Sequence, residues 1–203
     1  MSKINCKFCN QKFGVKAFEK HFMECIKESQ KNKSGYLIEF GSYSDITNKN
    51  YSMFAIFGVN CKLTHIDKFI KKKWCECCGH LSTLEVIELI NDEITDQSIK
   101  FNNLISKYEN SDHFNYCYDM GSSTEIEFRI VKKLDGLEKN IKVELIYQND
   151  PPKLKCKCKK EALYIYEGDK LCEECKLLLD ENEECFLPIV NSPRVGVCGY
   201  EGE

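Results

Sequence analysis

The placing of cysteines near the two ends is the strongest constraint on what this chain can fold into. Residues 1–26 contain Cys6-x2-Cys9-x11-His21-x3-Cys25. A two-residue gap in a tight turn lets two thiolates converge on one ion, and residues 21 and 25 stand one helical turn apart on one face. Together the four groups complete a tetrahedral zinc shell, with Phe13 and Phe18 as a small apolar core between the pairs. A module this short cannot build a sufficient core unaided, and zinc contributes about 10–16 kcal/mol to such folds. Near the other end stand Cys156-Lys157-Cys158 and Cys172-Glu173-Glu174-Cys175. Residues two apart in an extended segment project to one side, so Cys156 and Cys158 can share an ion with Cys172 and Cys175. Cys185 is a possible substitute ligand. Ala162–Tyr166, a Glu167-Gly168-Asp169 turn and Lys170-Leu171 form the hairpin that carries one pair back to the other. Lys155, Lys157, Lys159 and Lys160 are placed to offset part of the thiolate charge.

The first segment resembles the zinc-finger family with a final Cys in place of the second His. Taking His21 as the seventh helical residue, the positions that meet base edges in that family fall on Gly14, Ala17 and Lys20. Two of these cannot hydrogen-bond through a side chain, and one finger spans only about three base pairs. Sequence-specific reading of DNA is therefore not expected. Salt-sensitive contact with nucleic acid through Lys12, Lys16 and Lys20, a protein-binding role and a purely stabilising role all stay open.

The net charge of the 203 residues is -3, yet residues 1–34 hold eight Lys against three Glu. Attraction to an anionic partner is thus local to that segment, through which a protein or nucleic-acid partner is expected. No apolar run approaches the roughly 18 residues of a membrane span, and no signal-like stretch opens the chain. A cytoplasmic protein without a membrane association is expected, in which 14 cysteines serve as ligands and buried thiols rather than disulfides.

Lys27–Ser34 is polar and reads as a helix end running into a linker. Tyr36–Tyr43 and Tyr51–Val59 read as paired strands around Asn48-Lys49-Asn50. Thr64 can cap a helix that buries Ile66, Phe69, Ile70 and Trp74 and leaves Lys68, Lys71, Lys72 and Lys73 to solvent. Leu84–Ile90 fits strand or helix equally well. A short helix is expected around Ile99, Leu104, Ile105 and Tyr108. Strands are expected at Phe114–Tyr118, Glu125–Val131 and Ile141–Tyr147, with Gly121 taking a positive φ in the turn after Asp119. The mixture lacks a βαβ rhythm and predicts an α+β fold with a mixed or antiparallel sheet and packed helices. It divides into a finger at 1–30, a core at 35–150, and a zinc-binding hairpin module with a segment returning to the core at 151–203.

Three further blocks carry a resemblance: Trp74 with Glu76–Ser82, Tyr118–Glu125, and Pro188–Tyr200. Over residues 50–203 the chain resembles the plasmid Ri open-reading-frame-three-like proteins, also called insertion-element passenger proteins. The resemblance implies a compact α+β domain carried on mobile genetic elements, with no established activity, and makes the finger an addition to the family's core.

Two structural zinc sites and no nucleotide cofactor are expected, in a zinc-stabilised binding or adaptor protein. Two arginines, Arg129 and Arg194, are too few for a serine recombinase, and no Gly-rich phosphate loop or His-Glu-x-x-His helix is present. The alternative is a cysteine- or metal-dependent enzyme using Cys77 or Cys78, His80, Asp119 and Cys198. The adjacent Cys77-Cys78 pair is poorly spaced for a third self-contained zinc site. Trp74–Ser82 instead reads as a buried hinge, with Trp74 and Leu81 in the core and Gly79 turning the backbone.

Overall fold

The computed structural model of the protein describes residues 3–6, 8–86, 103, 113–138, 142–179 and 185–202. It is an α+β fold around a six-stranded antiparallel sheet. The chain opens with β1 (Lys3–Asn5), β2 (Lys12–Gly14) and α1 (Val15–Ser29), so that His21 is the seventh helical residue. The core strands are β3 (Ser34–Ser44), β4 (Lys49–Phe57), β5 (Ser82–Val86), β6 (His113–Tyr118), β7 (Thr124–Asp135) and β8 (Val143–Gln148). They lie in the order β5-β6-β7-β3-β4-β8. Leu84 thus belongs to a strand. The helix expected around Ile99–Tyr108 lies outside the described residues.

Alternation decides which residues meet on each face. Tyr36, Ile38 and Phe40 of β3 and Met53, Ala55 and Phe57 of β4 join one core, whereas Leu37, Phe54 and Ile56 join the other. A bulge opposite Leu37/Ile38 reverses the parity of β7. Ile126 and Phe128 therefore pack in the first core and Leu134 in the second.

The first core is covered by α2 (Leu63–Ile70), which buries Leu63, Ile66 and Ile70. Thr64 is not its cap: the chain enters at Lys62, whose amide donates to His65 Nδ1 at 3.0 Å. The helix then widens into a π turn over Lys71–Cys75. Such turns are short because their packing is poor, and they concentrate at functional sites. Here the wider turn places the consecutive residues Trp74 and Cys75 both in the core, at 0% exposure. Lys71 is drawn to Asp67, 3.2 Å away, instead of pointing freely to solvent.

The second core is covered by α1. Phe22 makes edge contacts with Phe54 and Tyr147 at centroid distances of 5.4 and 4.7 Å, and Ile26 is fully buried. Lys27–Ser34 is consequently no linker: the helix continues to Ser29 and β3 begins at Ser34. Apolar residues on one stripe of α1 weld the finger to the sheet.

The last segment forms β9 (Tyr164–Tyr166), β10 (Asp169–Leu171), α3 (Glu173–Lys176) and β11 (Leu187–Pro188), with β9 central in a small antiparallel sheet. Glu167 and Gly168 both have positive φ, 48° and 85°, the conformation a two-residue hairpin turn requires. Ile165 and Val195 reach the first core, so the returning segment is packed against the main sheet.

Because Phe22 anchors α1, Phe22→Ala should lower the unfolding free energy by about 3–5 kcal/mol in denaturant titration. A loss below about 1 kcal/mol would mean that α1 contributes little to the common core.

Candidate metal centres

Among the described residues, three groups of four side chains each bring one ligand atom per residue to within 4.8 Å of one another: Cys6, Cys9, His21 and Cys25; Cys77, Cys78, His80 and Cys198; and Cys156, Cys158, Cys172 and Cys175. Each is placed to hold a metal ion. Tetrahedral zinc with bonds of about 2.3 Å to sulfur implies S···S separations of about 3.8 Å.

In the first group the β1–β2 turn presents Cys6 and Cys9, closed by the Asn10 amide donating to the Cys6 carbonyl at 2.9 Å. Helix α1 supplies His21 and Cys25. Cys9 Sγ lies 3.2 Å from His21 Nε2, and Phe13 stacks on the imidazole at 3.7 Å. Burial raises the Cys6 thiol, but hydrogen bonds from the Phe8 and Cys9 amides and from His21 and Cys25 prevail and bring it down to about 7. Burial and the two neighbouring thiols push Cys25 up to about 12. Lys12 and Lys20 are exposed on this module; the side chains of Lys16 and Phe18 lie outside those described.

In the C-terminal group the segment carrying Cys156 and Cys158 is a tight turn rather than an extended strand. The Lys159 amide donates to the Cys156 carbonyl at 2.8 Å, and Lys159 takes φ 71°. The turn aims the Cys158 amide at the Cys156 sulfur. That contact and one from the Cys172 amide lower Cys156 to about 6. Cys172 precedes α3 and Cys175 lies within it, and Cys158 Sγ stands 3.5 Å from Cys172 Sγ. Hydrogen bonding to Cys156, Cys158 and Cys172 pushes Cys175 up to about 12. Cys185 lies outside this group. Lys157 pairs with Asp169 at 2.6 Å and Lys160 with Glu174, so these two lysines serve carboxylates rather than the sulfurs directly.

The central group corrects the hinge reading. Gly79 does turn the backbone, at φ 80°, and Trp74 is buried, but Leu81 is 81% exposed and Cys78 is exposed. The missing ligand comes from the far end of the chain. Cys198, itself at φ 48°, completes a four-ligand set that local spacing could not reveal. Cys77 and Cys78 sulfurs are 3.6 Å apart, and Cys78 and Cys198 are 3.9 Å apart. His80 Nε2 lies 2.8 Å from Cys78 Sγ and 3.2 Å from Cys198 Sγ.

A buried cation holds these segments together. Arg194, 0% exposed, donates to Asp119 Oδ2 at 2.6 Å, the Ser122 carbonyl at 2.8 Å and Thr124 Oγ1 at 3.0 Å; it also lies 3.6 Å from Cys77 Sγ and over the Tyr118 ring, 4.9 Å from its centroid. Burial would raise the Cys77 thiol, but hydrogen bonds from Arg194, Cys78 and Cys198 together with the Arg194 charge outweigh it and lower the thiol. Its neighbour Cys78 is pushed up to about 11, chiefly through its hydrogen bond to Cys77. Arg194 also holds Asp119 below the usual carboxylate range. It is Asp119, at φ 62°, rather than Gly121 that takes the left-handed conformation in this turn, its side chain accepting the Gly121 amide at 3.0 Å. Around the rim, Tyr118 donates to Glu76 at 3.1 Å and accepts the His80 amide, while Ser192 donates to the Trp74 carbonyl at 2.6 Å. Arg194, Ser192 and Glu76 were not singled out by spacing; the visible signal was an arginine in one polar block and an aspartate in another.

Cys78, His80, Asp119 and Cys198 therefore meet, but not as an activated nucleophile. An orienting acid must hold the imidazole nitrogen opposite the one that takes the nucleophile's proton. Asp119 Oδ2 lies 3.5 Å from Nε2, the same nitrogen that faces Cys78. Two donors and an acid crowding one nitrogen suit a ligand cluster better than a proton relay.

The other thiols lie apart. Cys75 is buried, and burial pushes it up; buried Cys61 donates to the Lys142 carbonyl at 2.7 Å; Cys117 is half-buried on β6.

No family model matches the chain, and no curated protein matches it. Among solved structures, it is similar to the crystal structure of a protein of unknown function from Methanosarcina mazei Go1, with a TM-score of 0.38 and 14% identity over 55% of this chain and 61% of that one.

Removing the Arg194 charge leaves the buried Asp119 carboxylate without its guanidinium, with the Gly121 amide and His80 beside it. Arg194→Met should therefore cost about 3–5 kcal/mol of stability in urea. In the unsubstituted protein the lowered Asp119 carboxyl contributes its stability above the ordinary carboxylate range and loses it as pH falls through the lowered value, so the stability difference between the two proteins should shrink in acid. A near-zero cost would mean that the pair does not hold the fold.

Proposed function

We propose that this chain is a zinc-stabilised binding or adaptor protein of the cytoplasm, with three structural zinc sites and no catalytic role. The observation that carries this reading is that each group offers four Cys or His donors, a complete tetrahedral shell. A complete shell leaves no coordination position for a water molecule or substrate, which is what a hydrolytic centre requires. Thiolate and imidazole donors favour zinc over hard cations such as calcium or magnesium. In the central group, three thiolates and a neutral imidazole would leave a bound Zn(II) with one excess negative charge, and the Arg194 guanidinium beside Cys77 offsets it.

The partner side of the proposal rests on α1. Its apolar stripe is used against the sheet, leaving Ala17 and Lys20, with Lys12 on the preceding strand, exposed. Lys12 and Lys20 give this exposed surface a basic character suited to a non-sequence-specific anionic partner, nucleic acid or protein. Association with mobile genetic elements, as the passenger-family resemblance implies, belongs to the same proposal.

Elemental analysis of the purified protein should return close to three zinc per chain, and cobalt substitution should give the intense visible bands of tetrahedral thiolate sites. A zinc content near zero contradicts the structural role. Weak binding to single-stranded or duplex oligonucleotides at low salt should fall on Lys12→Ala/Lys16→Ala/Lys20→Ala substitution and vanish as salt rises. Binding indifferent to these changes removes the lysine surface from the account.

A further inference from the structure

The three groups differ in how they expose sulfur. In the N-terminal group Cys6 is buried and Cys9 is the exposed thiol; in the C-terminal group Cys156 and Cys172 are buried and Cys158 is exposed. No ligand of the central group is buried, and two of its thiols, Cys78 and Cys198, are exposed together, with their sulfurs 3.9 Å apart. Their backbones can adjust. Gly79 follows Cys78 and Gly199 follows Cys198, both in left-handed turns at φ 80° and 67°. The third thiol, Cys77, is half-buried, and its sulfur faces the Arg194 guanidinium.

We propose that Cys78 and Cys198 form a peroxide-sensitive modification site, at which oxidation to a disulfide releases the central metal ion while the terminal groups keep theirs. This rests on the reading of the central group as a zinc site. One exposed thiolate attacks a peroxide oxygen, the O–O bond breaks, and a sulfenic acid and water form. The second sulfur then attacks the sulfenic sulfur, an S–S bond forms and a second water leaves. Two electrons pass from the two sulfurs to the peroxide, and two protons from solvent complete the two waters. Zinc keeps its charge throughout. It leaves because Cys77 and His80 are two ligands where four were present. Since Cys78 and Cys198 come from segments 120 positions apart in the chain, the disulfide keeps the returning segment tied to the Cys77–His80 turn after the ion has gone.

The Cys77–Cys78 pair is the competing product, with sulfurs 3.6 Å apart. Adjacent residues close a small strained ring, and forming it would withdraw Cys77 from its buried cation. Cys78–Cys198 has neither cost.

The test uses the zinc-loaded full chain, with metal content measured first. Stoichiometric hydrogen peroxide is then added, released zinc is followed with a chromogenic chelator, and peptides are mapped without reduction. Three ions before peroxide, about one released, and a crosslink joining the Cys78 and Cys198 peptides is the expected result. Cys198→Ser should abolish the crosslink. Two ions before peroxide, with the terminal sites filled, overturns the zinc reading of the central group and the modification site with it. Three ions with release first from a terminal group, or a Cys77–Cys78 crosslink, overturns the modification site and leaves the zinc reading standing.

Discussion

The pairing of Arg194 with Asp119 is the interaction on which the arrangement of this protein's polar segments depends. A guanidinium with 0% exposure pays a large desolvation cost and persists only where charge and hydrogen bonds surround it. Asp119, Ser122 and Thr124 on the turn between β6 and β7 supply them, and Cys77 at the end of the π turn lies against the same group. Three stretches remote in sequence are thereby fixed at one place. The left-handed backbone at Asp119 and Cys198 is the local strain that this convergence tolerates.

The cysteine groups lie on short segments that have little apolar mass of their own. The N-terminal module brings its four candidate ligands together and is attached to the sheet by Phe22 and Ile26. The C-terminal hairpin has only Leu154, Cys156, Ala162 and Cys172 as its own buried cluster, and Ile165 and Val195 attach it to the main core. Gly196 shows how close that attachment is: at φ 76° a Cβ there would stand 2.8 Å from Ile165. The central group differs from both because its ligands come from a hinge and a chain end rather than from one local hairpin.

Local patterns were legible and long-range closure was not. The strands β3, β4 and β7 follow from their aromatic and β-branched composition and the buried stripe of α2 from apolar periodicity, as the α+β class does from the mixture of elements. The terminal ligand sets could be read because each lies within 25 residues of chain. Cys77-Cys78-Gly79-His80 looked incomplete because its fourth ligand stands at Cys198, and no spacing rule connects residues 120 positions apart. Leu81 was placed in the core on hydrophobicity alone, whereas the glycine turn beside it sends the side chain to solvent. The polar stretch after α1 suggested a linker because the anchor that prevents one, Ile26, lies just before it. Trp74–Ser82, Tyr118–Glu125 and Pro188–Tyr200 meet around Arg194, which gives their polar residues a shared physical purpose.

The central claim is that the hinge and the returning segment jointly form a third complete metal shell. Diffraction from crystals of the zinc-loaded protein, recorded on both sides of the zinc absorption edge, tests it most directly. The account expects three anomalous peaks per chain, one of them at bonding distance from Cys77, Cys78, His80 and Cys198. Peaks at the two terminal groups alone, with the central thiols unligated although zinc was in excess, would contradict it.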